Sequence, residues 1–193
     1  AGTDWQDAWL YKWIESAAAF YAVEQDPWIE QRMDEAIELI HKMTAEKPIS
    51  GIKLSERYYN LLKMKKRRAE LLEHAARHLD ILTEGSEKRK AIAVFTECRM
   101  ADPGFCPTAA AMFKVAGWLN ETGKTKAAIA VYNTIAKSYP DNPLVPKAYF
   151  RIAQIFHDRL MNRDQAIKAL DLLLRKYPEH DIIPQAESFL ARI

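Results

Sequence analysis

The sequence predicts an all-α protein in which short helical pairs stack one on the next as a solenoid. Three observations carry this expectation. A pattern of residues recurs every 37 to 38 positions, a period typical of helical repeat arrays. Glycine is scarce, at 6 of 193 residues, too few for the many turns of an all-β fold. Ala, Leu, Glu, Lys and Arg dominate, and these are the strong helix formers.

Composition excludes several classes of function. Hydrophobic residues at 49% and charged residues at 28% are a globular balance, not that of a disordered chain. The 28 basic and 26 acidic residues leave a net charge of +2, which gives no electrostatic basis for binding nucleic acid. No run of ~20 apolar residues is present to span a bilayer. Membrane contact is therefore expected only indirectly or through an anchor outside this chain. The chain begins Ala-Gly-Thr without Met and reads as a processed or trimmed piece. The compartment stays open, and a periplasmic or membrane-associated site in a bacterium is compatible.

The elements follow in order. Residues 4–24 read as one helix, with Trp5, Trp9 and Trp13 at i, i+4 and i+8, then Ala17, Phe20 and Tyr21 on the same face. Asp26 is placed to cap a second helix whose first position is Pro27. Its buried stripe is Met33, Ala36, Ile37 and Ile40, and it runs to about Met43. Lys47-Pro48-Ile49-Ser50-Gly51 breaks the chain. A longer helix is expected next, capped at Ser55, stopped at Gly85 and bent near the basic run Lys63, Lys65, Lys66, Arg67 and Arg68. That run reads as a solvated helix face in preference to a contact for anionic lipid or an acidic partner, because Glu70 and Glu73 offset it. Residues 1–52 are thus expected to form an N-terminal helical pair that caps or docks, and residues 53–193 a repeat domain.

The repeat is read by laying the chain on itself. Tyr139-Pro140 to Ala148 recurs as Tyr177-Pro178 to Ala186, an offset of 38. The same offset pairs Ala128 with Ala166, Tyr132 with Leu170 and Ile135 with Leu173. An upstream copy, Ala91 to Phe95 with Pro103, matches Ala128 to Tyr132 with Pro140. A small residue lets two helices approach, the large residue four positions on fills the gap, and the proline stops the second helix. The units are about 71–103, 109–142 and 146–178, plus a final helix 184–193. Each leaves an apolar face that stacking must cover.

These residues resemble the tetratricopeptide repeat family. One unit matches with Met112, Val115, Ala116, Leu119, Gly123, Ala128, Tyr132 and Pro140, the next with Tyr149, Ile152, Ala153, Phe156, Ala166, Leu170 and Pro178. Ile135 stands where the family prefers a small residue, so looser packing is expected there. The lengthened Tyr-Pro form is similar to repeats of bacterial envelope lipoproteins and TolA-binding proteins. The resemblance implies a right-handed α-α superhelix and a scaffold or adaptor that binds a peptide or helix of a partner protein. Its concave surface would carry Phe113, Lys114, Gly117, Asn120 and Glu121 from one unit, and Lys147, Phe150, Arg151, Gln154, His157 and Asp158 from the next. Phe113 and Gly117 occupy places where carboxylate-clamping members carry polar groups, which disfavours capture of a chain terminus.

The tryptophan stripe at Trp5, Trp9 and Trp13 has two readings. One is a cap over the open end of the array. The other is a docking helix for a partner, a second copy, or the rest of a larger membrane or envelope protein.

No catalytic constellation is present, and no cofactor or metal is expected. His74 and His78 are four apart and could share a metal, but a His pair on a charged helix reads as solvated. Glu38 and His41 have di-iron spacing without the second copy such a site needs. Gly123-Lys124-Thr125 lacks the upstream glycine and strand of a phosphate loop. Cys98 reads as a core residue and Cys106 as a loop residue, with a bond between them left open.

Overall fold

The computed structural model describes residues 4–46 and 51–193, and the side chains of residues 12–42 and 51–193 except Glu15 and Ala22. Its ten described helices divide between two compact units, residues 1–85 and 86–193.

The first unit holds α1 (Asp4–Glu24), α2 (Pro27–Glu46), α3 (Ile52–Met64) and α4 (Arg68–Glu84). The α2 start follows the capping chemistry: Asp26 Oδ1 accepts from Trp28 N at 2.7 Å. Ile14 and Ala17 from α1, Met33, Ile37 and Ile40 from α2, and Tyr58, Leu61 and Leu62 from α3 form one core. Trp13 packs against it. Trp5 and Trp9 lie in α1, but their side chains fall outside the described residues. Because α3 shares this core, the break at residues 47–51 connects elements of a single unit.

The single long helix expected after that break is two. Lys65–Arg67 form a tight turn between α3 and α4, with Lys66 at φ 55. Ser55 is not the cap. Gly51 holds that position, and Ser55 is buried inside α3. The basic run is likewise not a plain solvated face. Lys65 reaches Glu30 at 3.0 Å and Asp34 at 3.1 Å, and Arg67 reaches Glu38 at 2.8 Å and Glu70 at 2.7 Å. Two members of the run therefore latch the α3–α4 turn to α2. Burial pulls the Lys65 pKa down, but its hydrogen bonds to Glu30 and Asp34 overcome this and hold it above the ordinary value.

The second unit holds α5 (Lys88–Ala101), α6 (Ala109–Glu121), α7 (Thr125–Ser138), α8 (Leu144–Asp158), α9 (Arg163–Lys176) and α10 (Ile183–Arg192). The turns between α6 and α7 and between α8 and α9 are short, so each pair folds back as a helical hairpin. Gly123 sits at φ 79, a conformation glycine adopts without strain, and lets Lys124 N close on Leu119 O at 2.8 Å. The small repeat positions Ala91, Ala116, Ala128, Ala153 and Ala166 have no exposed surface. Ile135 is also fully buried, so its extra bulk is accommodated. Cys98 in α5 is buried, Cys106 is half-buried in the loop, and both are free.

The tyrosines of the repeated Tyr-Pro pair join successive repeats. Tyr139 Oη donates to Pro107 O at 2.8 Å, and Tyr177 Oη donates to Pro140 O at 3.3 Å. Tyr139→Phe is expected to cost about 1 kcal/mol, read from the urea midpoint of the second unit. An unchanged midpoint would mean that this bond does not couple the repeats.

Candidate functional site

The structure holds one expected site and one unexpected polar cluster. The expected site is a groove of about 490 Å³ between α6 and α8. Thr108 starts α6 by accepting from Ala111 N at 3.2 Å. The core face of α6 is then Met112, Val115, Ala116 and Leu119. One step around the helix, Phe113, Lys114, Gly117, Asn120 and Glu121 line the groove. Asn142 Oδ1 accepts from Leu144 N at 3.0 Å at the head of α8. That helix contributes Arg151, Gln154, Ile155, Asp158 and Arg159 to the facing wall.

The floor comes from α7. Tyr132 is buried and meets the Phe113 ring edge-on, with centroids 5.2 Å apart. Its hydroxyl lies 3.7 Å from where a Cβ at Gly117 would stand. The missing side chain at Gly117 thus leaves the floor open. Burial pushes the Tyr132 phenol up to about 12, so it is a neutral hydroxyl at any physiological pH. Asn120 Oδ1 is buried without a hydrogen-bond partner.

The groove has an electrostatic direction. Ala116 and Ala153 are equivalent small positions 37 apart. The same register pairs Lys114 with Arg151, Gly117 with Gln154, and Glu121 with Asp158. Both first helices run antiparallel to α7 and hence parallel to each other. One end of the groove is therefore basic and the other acidic, although Arg159 adds a cation at the acidic end. Arg151 is held by Gln154, with Nη1 2.9 Å from its Oε1.

Not every expected residue lines this groove. Lys147 points to Asp181, 3.8 Å away. His157 pairs with Asp158 at 2.7 Å, and its ring meets Phe189 edge-on at 5.5 Å. Phe150 is only 8% exposed, packed on Phe189 in the core around α9 and α10. Its edge, together with Gln154, lines an adjoining groove of about 350 Å³ closed by Pro184, Ser188 and Phe189. Trp118, Ile155 and Arg159 were not among the expected residues. Trp118 and Ile155 read as core positions, and Arg159 follows the last residue of α8.

The unexpected site is in the first unit. His74 and His78 are not solvated. Both are buried, His78 at 1%, and both turn to Ser55. His74 Nε2 lies 2.9 Å from Ser55 O, and His78 Nδ1 lies 2.8 Å from Ser55 Oγ. The set is satisfied when His74 Nε2–H donates to the carbonyl and the Ser55 hydroxyl donates to His78. Tyr58 stacks edge-on against His74 and Tyr59 lies along His78. Burial is the main cause that lowers the His74 pKa to about 4, so the ring is neutral at pH 7. A serine with no exposed surface has no access to substrate, so this cluster is a buried polar core. Among the described residues, no three His, Cys, Asp or Glu side chains gather as a metal site would require. Among them also, no helix is long and apolar enough to cross a membrane. Glu38 is engaged by Arg67.

Two segments, residues 110–142 and 147–180, match the tetratricopeptide repeat family. They coincide with α6–α7 and α8–α9, and α6, α7 and α8 build the groove. No curated protein matches the chain. Among solved structures, it is similar to YrrB, described as a TPR protein with an unusual peptide-binding site. The identity is 14%, the TM-score 0.46, and the match covers 91% of this chain and 90% of that one.

Proposed function

We propose that this chain, which carries tetratricopeptide repeats, is a non-catalytic scaffold that holds a peptide or helix of a partner protein between α6 and α8. The supporting observation is the groove itself. Two matched repeats present Phe113, Lys114, Asn120, Arg151 and Gln154 around an open floor of Tyr132 and Gly117. Lys147, Phe150 and His157 would contact a partner that extends toward α10. The charge order favours a segment with an acidic residue near Lys114 and Arg151. A basic residue would follow near Glu121 and Asp158, seven positions along each helix or about 10 Å.

Selection from a displayed random-peptide library tests this reading. Enriched peptides should lose at least about tenfold in affinity on Arg151→Glu, the scale of one lost charge-assisted contact. They should lose as much on Gly117→Trp, which fills the floor, and little on Gly117→Ala, whose Cβ meets only Tyr132 Oη at ordinary contact distance. Peptides that bind all variants equally would place the site elsewhere. Absence of any enrichment would count against a peptide-binding groove.

A second reading is a structural or regulatory domain of a larger envelope protein, docking through α1, with repeats of the TolA-binding type. The lengthened Tyr-Pro connection favours that subtype. Exposed Phe20 and Val23 on α1 favour a docked helix. Replacing both by Ser would detach the domain from its membrane fraction in that case, and would leave fractionation unaltered otherwise.

A further inference from the structure

The outer face of α2 carries an order of side chains that complements itself. Met33, Ala36, Ile37 and Ile40 face the core. Trp28, Arg32, Glu35 and Leu39 follow at steps of four, three and four, which places them in one stripe on another side of the helix. Trp28 is 62% and Leu39 50% exposed, large values for big apolar side chains. Arg32 lies over the Trp28 ring at 5.5 Å and pairs with Glu35 at 2.6 Å.

The order is apolar, basic, acidic, apolar, and it is symmetric about the point between residues 33 and 34. Lay a second α2 antiparallel against this stripe. Trp28 then falls opposite Leu39 of the other copy, and Arg32 opposite Glu35, both at once and twice over. A two-fold interface demands such self-complementarity, since each patch must fit itself. An unrelated partner would not require that the apolar pair and the ionic pair share one centre.

We propose that this α2 stripe is the contact surface of a homodimer. The indole and the leucine cover each other. Each Arg32–Glu35 pair opens within its helix and re-forms across the interface. Little is lost by that exchange, because both side chains are about half exposed and an exposed pair contributes weakly. The stripe spans about 16 Å of helix, a small contact, so the dimer is weak and depends on concentration.

Sedimentation equilibrium on the whole chain, from about 1 μM to about 1 mM, covers the range of a weak complex. The wild type should associate reversibly to a dimer. Arg32→Glu and Glu35→Arg should each weaken association at least about tenfold, because each places like charges opposite each other. An equimolar mixture of the two variants should associate again, since every opposed pair is then of opposite sign. The double variant R32E/E35R should also dimerise. Both positions are exposed, so folding is retained. A wild type monomeric throughout would overturn the proposal. So would single variants that dimerise normally, or a mixture that stays monomeric.

Discussion

Lowering the pH from 7 to 4 is expected to remove about 3 kcal/mol from the stability of the first unit through His74 alone. The folded unit keeps this ring neutral, with a pKa near 4, against an ordinary value of 6.5. Above pH 6.5 both folded and unfolded chains hold the neutral ring, and the full stability is present. As pH falls below 6.5 the unfolded chain takes up a proton that the folded chain refuses. Stability then falls by about 1.4 kcal/mol per pH unit and levels off below about 4. The window between pH 6.5 and 5 lies on the His74 slope, and the His74→Leu comparison isolates it. Hydrogen exchange of the α3 and α4 amides in urea, followed against pH, measures it. His74→Leu should flatten most of that slope. A profile unchanged by the substitution would mean that His74 gains a proton in place, and that the cluster is wetter than its burial indicates.

Tyr132→Ala is expected to destabilise the second unit by about 3–5 kcal/mol, the range for a large aromatic deleted from a packed interior. Tyr132 fills the space that Ala128 opens between helices, and it supports Phe113 from below. Tyr132→Phe keeps that volume and should cost no more than about 1 kcal/mol. Chemical denaturation followed by hydrogen exchange of the α6 and α7 amides separates the two. If Tyr132→Ala lost less than about 1 kcal/mol, the ring would not be the keystone of this repeat. The same pair of variants divides packing from recognition. Tyr132→Phe keeps the floor but removes its hydroxyl, so any drop in peptide affinity it causes belongs to the groove.

Much of the groove was legible in the sequence, because the 37-residue register carries chemistry as well as packing. Once Ala116 and Ala153 are equivalent, Lys114 and Arg151 must lie alike on parallel helices, as must Glu121 and Asp158. Phe150 shows where that reasoning stops. Its register equivalent is Phe113, yet Phe113 borders the groove while Phe150 is drawn into the core by Phe189 of α10. Which neighbour stands across from a residue depends on the helix that follows, and periodicity is silent about it. Lys147 diverges for a similar reason, since Asp181 belongs to a connection a full repeat away.

The sequence by itself determined the helices outside residues 52–84, the capping at Asp26, the turn at Gly123 and the small positions at Ala128 and Ala166. These depend on local backbone preference and on spacing along one helix, both of which neighbouring residues set. The tertiary structure alone decided the fate of the charged and polar residues between 55 and 78. On one helix, His74, His78, Lys65 and Arg67 look like a solvated face. Burial instead depends on what the fold lays over that face. Here α3 supplies Ser55 and two tyrosines to the histidines, and α2 supplies Glu30, Asp34 and Glu38 to the cations. Partners that lie 19 to 35 positions away turn a costly burial of polar groups into a satisfied one, and no pattern confined to a single helix contains them.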